Sequence, residues 1–465
     1  MNDPETSAAG GPVASKAGRF SWAFFDWANQ PYFTLITTFL FAPYFAAGFV
    51  GDAVKGQELW AYTQSMAGLA IAIGSPLLGA IADQTGARKP WLLMFSVIFI
   101  VGASLLWFAA PGASGSVGLI MGVAVAAALG MEFALVFYNA MLPTLVPEKE
   151  MGRLSGFGWG IGYVGGLLAL FIVLGFLAGS KETGLTMLGF VPLLGLDPLM
   201  HEADRFTGPL AALWYTLFSL PMFLLTPDVP ARRMAPLRAV QSGLRQLRNT
   251  FARLPSYKNI ALFLVARMTY YDGLSAIFAF GGIYAAGTFG WEIQTLGIFG
   301  ILLSLFAAFG AFLGGFADDR LGSRKTILLA LTGLILGTLL SVSITADTVL
   351  FVIEVAPRAA DDPIFGSVAE GFYLFGGVLI GLSGGPAQAA SRTFLARLAP
   401  PEMMNEFFGL YALSGKATSF IAPLVIGLVT AAAGHQRAGL FVVLGFLFVG
   451  LLLLLPVREE VARPV

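Results

Sequence analysis

Six ionisable side chains sit inside long apolar runs of this sequence: the acids Asp26, Glu132 and Asp272, and the bases Arg267, Arg392 and Lys416. A charge in an apolar medium is costly unless it is paired, hydrogen-bonded or open to a water-filled cavity, so such groups are candidates for binding a solute or moving an ion. Three against three permits mutual pairing with no net buried charge. Helical spacing places polar partners beside them. Asp26, Asn29 and Gln30 share a face at i, i+3, i+4; Glu132 and Asn139 are i, i+7; Arg267 and Tyr271 are i, i+4. Gln388 and Arg392 are also i, i+4, next to Ser391. Asp272 lies about 140° round from Arg267 at 100° per residue, so those two are not expected to pair within one helix. The strings FFDWAN and YYDGLS make Asp26 and Asp272 candidate repeat partners. Each group also has a structural reading. Asp26 stands near the start of its run and can cap or pair at the interface. Arg267 can snorkel or brace its helix. Lys416 can be a structural partner for an acid on a neighbouring helix.

Other chemistry is excluded. There is no cysteine, hence no disulfide, thiolate metal site or cysteine nucleophile. The two histidines, His201 and His435, fall in predicted loops without a supporting cluster, and no H-E-x-x-H element occurs. No metal, no cofactor and no enzymatic activity are expected. Basic and acidic residues balance at 27 each, so no basic surface points to nucleic acid.

The elements that must position the six charges are membrane spans. Only 12% of the residues are charged, against about 25% for an ordinary soluble domain. A bilayer core needs about 20 apolar residues of helix. Runs of that kind lie near 20–47, 60–82, 90–110, 116–143, 154–178, 208–226, 259–287, 294–317, 326–346, 371–395, 407–433 and 438–457, which predicts twelve spans. The ten-residue alternation of a membrane β-barrel is absent. Residues 1–18 are polar and are read as a tail rather than a signal peptide, so the first apolar run is expected to remain as a span. With the N-terminus inside, the inner loops hold 19 of the 27 Lys and Arg and the outer loops five, which predicts both termini on the cytoplasmic face. The inner loop 227–257 carries Arg232, Arg233, Arg238, Arg245, Arg248 and Arg253, reads as a basic linker, and is expected to meet lipid headgroups. The outer loops 179–207 and 347–370 read as variable surface segments. Trp22, Trp27, Trp60, Trp91 and Trp214 fall near predicted span ends, as an interfacial belt would place them. Overlapping G-x-x-x-G patterns at Gly156 to Gly166 and at Gly377, Gly381 and Gly385 predict close helix contact within the chain.

An internal repeat organises these spans. The loop after the second run reads GAIADQTGARKP and that after the eighth GGFADDRLGSRKT. Gly79, Asp83, Gly86, Arg88 and Lys89 align with Gly314, Asp318, Gly322, Arg324 and Lys325 at an offset of 235–236 residues, half the chain. This loop, in both halves, resembles the signature of the major facilitator superfamily. The segments AFFDWANQPYFT, FYNAMLPTLVPE, RLSGFGWGIGYVGG, TYYDGLSA and SRTFLARLAPPEMMNEFFGLYALSGKATSFIAPLVIG resemble its vacuole-effluxer branch, whose fungal members are autophagy-related amino-acid effluxers.

The resemblance implies an all-α membrane protein with twelve transmembrane helices in two six-helix bundles related by pseudo-two-fold symmetry. The division expected is a tail at 1–19, a bundle at 20–226, the linker at 227–257, a bundle at 258–457 and a tail at 458–465. The duplicated loops are then a cytoplasmic gate, and the first, fourth, seventh and tenth helices line a central cavity that takes five of the six charges. The function implied is secondary transport of a small polar solute by alternating access. A zwitterion fits, with its carboxylate on Arg392 or Lys416 and its ammonium near Asp272 or Glu132, and one acid is available for a coupling proton. The partners expected are that solute, a proton and membrane lipid, around a monomer in a bacterial inner membrane. The rival readings are a sensor or scaffold of transporter fold, a channel, and a carrier of a sugar, peptide or drug.

Overall fold

The structure, a computed structural model, describes residues 6–7, 10–85, 87–230, 241, 245, 252, 254–359, 361–398, 407, 410–411, 413–415 and 417–458. Most of the linker 227–257 and residues 399–406 lie outside the described residues. Helices dominate: α1 (Lys16–Phe49), α2 (Ala53–Thr85), α3 (Lys89–Phe108), α4 (Val117–Leu145), α5 (Glu148–Ile172), α6 (Glu202–Leu225), α7 (Lys258–Phe289), α8 (Ile293–Leu321), α9 (Ser323–Val342), α10 (Val368–Leu398), α11 (Ile421–Ala433) and α12 (Gln436–Leu454). Among the described residues ten helices, all of these but α2 and α11, are long and apolar enough to cross a membrane. The strand content of the described residues is one hairpin, Thr348–Val349 with Ile353–Glu354, and one isolated bridge near the N-terminus.

Two helices depart from the simple pattern. α1 starts on Ser15, whose Oγ accepts from Gly18 N at 3.1 Å. It then widens where Leu40 N bonds the Leu35 carbonyl and Val50 N the Phe45 carbonyl, five residues back in each case. The expected continuous helix over 407–433 is corrected. Residues 407, 410–411 and 413–414 are helical, residues 415 and 417–420 form turns, and regular helix resumes at Ile421. Gly415, Thr418 and Ser419 explain the break, because glycine and short hydroxyl side chains weaken a helix interior.

The chain divides into two compact units. The first holds Met1–Phe41 and Ile73–Leu247. In it α1 packs on α5 and α6, and α3 packs on α4 and α6. Its centre is aromatic: Tyr138 stacks on Trp22 at 4.5 Å and on Phe25 at 4.6 Å, and the Tyr215 hydroxyl meets Ser96 Oγ at 2.6 Å. The second unit holds Ala42–Ala72 and Arg248–Val465. There α7 packs on α12, and α10 on α8 and α9. The glycines of α10 seat α8: a Cβ on Gly381 would stand 2.8 Å from the Leu303 carbonyl oxygen, and one on Gly385 2.8 Å from that of Ala307. Gln57 of α2, fully buried in this unit, donates to Thr430 Oγ1 at 2.9 Å and to the Gln436 carbonyl at 3.0 Å. Three of the tryptophans expected near span ends pack inside the protein. Trp22, Trp60 and Trp214 are buried, and the indoles of Trp22 and Trp214 donate to the backbone carbonyls of Tyr138 and Trp27. Packing and a satisfied N–H fix these two side chains within the protein rather than facing lipid.

Helix ends pose the sharper problem, because the last carbonyls of a helix lack partners and hydrocarbon supplies none. Each unit answers it with cations on an antiparallel neighbour. In the first, Lys89 Nζ at the start of α3 donates to the Phe223 carbonyl near the end of α6 at 2.7 Å. At the opposite end the buried Arg205 of α6 donates to the Trp107 carbonyl at 3.2 Å and lies 4.6 Å over that indole. In the second, Arg324 at the start of α9 donates to the Leu455 carbonyl just past α12. Arg437 of α12 donates to the carbonyl of Val342, the last residue of α9, at 2.6 Å. A cation is favoured at the negative end of a helix dipole, so each contact is doubly suited. Arg205→Met and Arg437→Met keep most of the apolar stem and remove the donor. Each is expected to lower thermal unfolding stability in detergent by about 2 kcal/mol, with the larger loss at the more buried Arg205.

Candidate functional site

The sequence candidates gather into one cluster in each unit. In the first, Asp26 Oδ1 accepts from Asn29 Nδ2 at 3.3 Å and Oδ2 accepts from the Tyr138 hydroxyl at 3.0 Å. Tyr138 is held by its stacking on Trp22 and Phe25, so the aromatic centre aims the hydroxyl at the carboxylate. Glycine makes room for that carboxylate. A Cβ on Gly158 of α5 would collide with Asp26 Oδ2, and one on Gly162 would stand 3.2 Å from the Asp26 carbonyl oxygen. The predicted glycine stripe therefore seats α1 at its acidic residue. Glu132 is half-buried on α4 and within electrostatic reach of the buried Tyr32 hydroxyl, and Asn139 is exposed beside Tyr138.

The second cluster forms where α7 meets the break before α11. Arg267 is buried and donates to the Tyr411 carbonyl at 2.8 Å and to Ser414 Oγ at 2.6 Å. Its guanidinium lies 3.5 Å over the Tyr411 ring and 4.9 Å from that of Tyr271. The arrangement is a planar cation held between two aromatic faces, with its donors on the backbone and a hydroxyl. Asp272 is buried beside Thr418, whose buried hydroxyl makes no hydrogen bond of ordinary distance and angle. Arg267 is within electrostatic reach of Asp272, yet among the described residues no ion pair joins them, as the helical angle predicts. Lys416 belongs to this break by sequence and lies outside the described residues. On α10, Gln388 is half-buried and Arg392 exposed, while Ser391 between them receives the Tyr270 hydroxyl at 2.6 Å. That bond ties the polar face of α10 to α7.

The duplicated loops behave as helix-end fixtures. Arg88 N and Lys89 N donate to the Asp228 carboxylate at 3.1 and 3.0 Å, which closes the N-terminus of α3. The side chain of Asp83, the surroundings of Gly79, and all of Gly86 lie outside the described residues. In the second copy Asp318 is buried and accepts from Thr393 Oγ1 at 2.7 Å and from Arg397 Nη1 at 3.3 Å, one turn apart on α10. A Cβ on Gly314 would stand 2.6 Å from Pro386 Cβ. Gly322 holds φ 86° at the turn into α9, a conformation that suits glycine. Lys325 is exposed.

Neither histidine is part of a site: the Nδ1 of His201 meets Asp204 and that of His435 accepts from Ala438 N, both at helix starts. The string Gly381-Leu-Ser-Gly-Gly385 has the G-x-S-x-G spelling of a hydrolase nucleophile turn. It lies inside α10, where Gly381 and Gly385 face α8 and Gly384 faces α7, without the strand and sharp turn that such a nucleophile needs. Sequence reasoning missed Tyr138, Tyr411, Ser414, Thr418 and Ser391's partner Tyr270. All bond or face a charge or polar group on another helix, which spacing along one helix does not reveal. Arg267→Lys keeps the charge but loses the planar stack and one donor. It is expected to lower unfolding stability by about 1–3 kcal/mol, and Arg267→Ala at least as much, read by the melting of intrinsic fluorescence in detergent.

Comparison with known proteins agrees with this picture. The family described as vacuole effluxer Atg22 like matches residues 46–464. The MFS-type transporter YxiO of Bacillus subtilis is 26% identical over 449 residues, 96% of this chain and 96% of that protein. Autophagy-related protein 22-1 of Emericella nidulans is 25% identical over 308 residues, 62% of this chain but 47% of the fungal protein, so the chain spans about half of that relative. Among solved structures, a D-xylose-proton symporter is similar with TM-score 0.67 over 96% of this chain and all of that one, at 13% identity. A point mutant of the nucleoside transporter NupG is similar with TM-score 0.64 over 94% of this chain and 98% of its own, at 14% identity. These likenesses identify the fold as that of the major facilitator transporters. With nine-tenths of its length matched by one family model, the chain belongs to the vacuole effluxer Atg22-like family, a group of membrane transporters of the MFS type.

Proposed function

We propose that this protein is a secondary carrier, not an enzyme, that moves a small polar solute across a bacterial plasma membrane by alternating access, with amino acids the first class to test. The observation that carries the reading is the α7–α11 cluster. A braced cation, Arg267, and a buried acid, Asp272, meet at a broken helix. Irregular backbone at membrane depth is tolerated where it is packed in protein or lines a cavity, and discontinuous helices often carry transporter sites. Arg267 spends its Nη1 on Tyr411 and Ser414, so its role is to position α7 against the break. That leaves Arg392 or Lys416 for a solute carboxylate and Asp272 or Glu132 for an ammonium group or a coupling proton. Asp26, fixed by Asn29 and Tyr138, is a second proton candidate.

The same reading takes the chain as twelve spans in two pseudo-symmetric bundles, monomeric, with both termini and the duplicated loops on the cytoplasmic face. The Asp318 contacts with Thr393 and Arg397 support a gate at the second loop, because they are charged, partly exposed and able to exchange partners. The membrane spans themselves are supported by ten apolar helices and by family membership.

Proteoliposomes holding the purified protein test the proposal through uptake of radiolabelled amino acids with and without an imposed pH gradient. Uptake driven by the gradient is expected. Asp272→Asn and Arg392→Gln are each expected to reduce it at least about tenfold, the equivalent of 1.4 kcal/mol. Uptake indifferent to both substitutions would leave a carrier whose site lies elsewhere. The absence of uptake for every amino acid, with the protein folded and inserted, would sink the solute class.

A further inference from the structure

The connection from α5 to α6 reads in sequence as a variable surface segment. Its composition and geometry are those of something else. Residues 190–200 hold Phe190, Val191, Leu193, Leu194, Leu199 and Met200, which are between 43% and 74% exposed. Leu194 is the extreme case. It is 74% exposed and held at φ 64°, a left-handed conformation that leucine avoids. Neither its backbone nor its side chain gains anything from that position in water.

The segment is nonetheless well built. Ser180 N bonds the Leu185 carbonyl at 2.9 Å, Thr186 N bonds that of Phe190 at 2.8 Å, and Met187 N reaches back to Leu174 at 3.1 Å. Asp197 Oδ1 accepts from Leu199 N, and Glu202 Oε2 accepts from Asp197 N. Part of its backbone is thus paired within the segment, and the polar groups left over suit a headgroup interface, where water is still present, rather than the bilayer core. The apolar ridge is also continuous with an exposed apolar face of α5. α5 belongs to a membrane-crossing segment, Gly160–Leu177, and exposes Val164, Leu168 and Phe171 on one side at helical spacing. Phe171 contacts Phe176 at 6.2 Å, and Phe176 stacks on Phe190 at 6.1 Å. Charged groups flank the central stretch Phe190 to Leu194 at Lys181 and Glu182 on one side and at Asp197 on the other. An apolar ridge between charged shoulders is the pattern of a segment lying in the headgroup–acyl boundary.

We propose that residues 186–200 form a wedge embedded in the phospholipid interface of the leaflet at the α5 exit, with Phe190 to Leu194 among the acyl chains. The wedge anchors the end of α5 and the start of α6 at a fixed depth, so the spacing of the two helices follows the lipid around them.

The absence of cysteine makes the test direct. Leu194→Cys and Val191→Cys are each labelled with an environment-sensitive fluorophore in the full-length protein and reconstituted into phosphatidylcholine vesicles. Val164→Cys serves as the lipid-facing reference and Thr183→Cys as the water-facing one. Brominated acyl chains are expected to quench both wedge labels as strongly as the label at position 164, and iodide to leave them bright. Iodide quenching like that at position 183 overturns the proposal, for both variants or for the one that folds. Labels reached by neither quencher overturn it as well, since the ridge is then covered by protein, such as a second copy of the chain.

Discussion

The last carbonyl oxygens of a helix have no partner within it, and this structure meets that constraint with cations from antiparallel neighbours. Lys89 and Arg205 hold opposite ends of the α3–α6 pair, and Arg324 and Arg437 hold opposite ends of α9–α12. Around those pairs, aromatic rings pack the centre of the first unit, and glycine seats admit close helix contact in both.

Most of the fold was legible because hydrocarbon is an exacting solvent. Apolar run length located the helices, and the α8–α9 turn could be read from Gly322 and the charges around it. What stayed hidden were choices between two acceptable outcomes. Trp22 and Trp214 each carry an apolar body and one N–H, which suits an interface or a core, and carbonyls from Tyr138 and Trp27 drew them inward. The run at 407–433 is apolar enough to be one helix, and hydropathy gives little weight to Gly415, Thr418 and Ser419, where the regular helix fails. The segment after α5 has many apolar residues but no helical or alternating period, so its ridge was invisible until its turns were known.

The candidate site divides the same way. Asp26 with Asn29, and Arg267 with Tyr271, were readable because their partners lie one turn away on the same helix. Tyr138 is separated from Asp26 by 112 residues and Ser414 from Arg267 by 147, and no local spacing encodes such pairs. The glycines of α5 were recognised as a contact surface, but what they admit, a carboxylate flanked by Asn29 and Tyr138, required the neighbouring helix. Arg267 shows the value of seeing partners: from sequence it reads equally as a ligand or as a brace, and its bonds to Tyr411 and Ser414 favour the brace.

Gln57 carries a consequence for how the chain is made. Its amide is fully buried and bonds Thr430, 373 residues later in the sequence. At synthesis rates of about 5–20 residues per second, the first part of α2 waits roughly 20–75 s after translation before its partners exist. A nascent chain therefore enters the bilayer with an amide side chain still unmatched, and the assembly of this protein finishes at its last two helices rather than progressing steadily from its first.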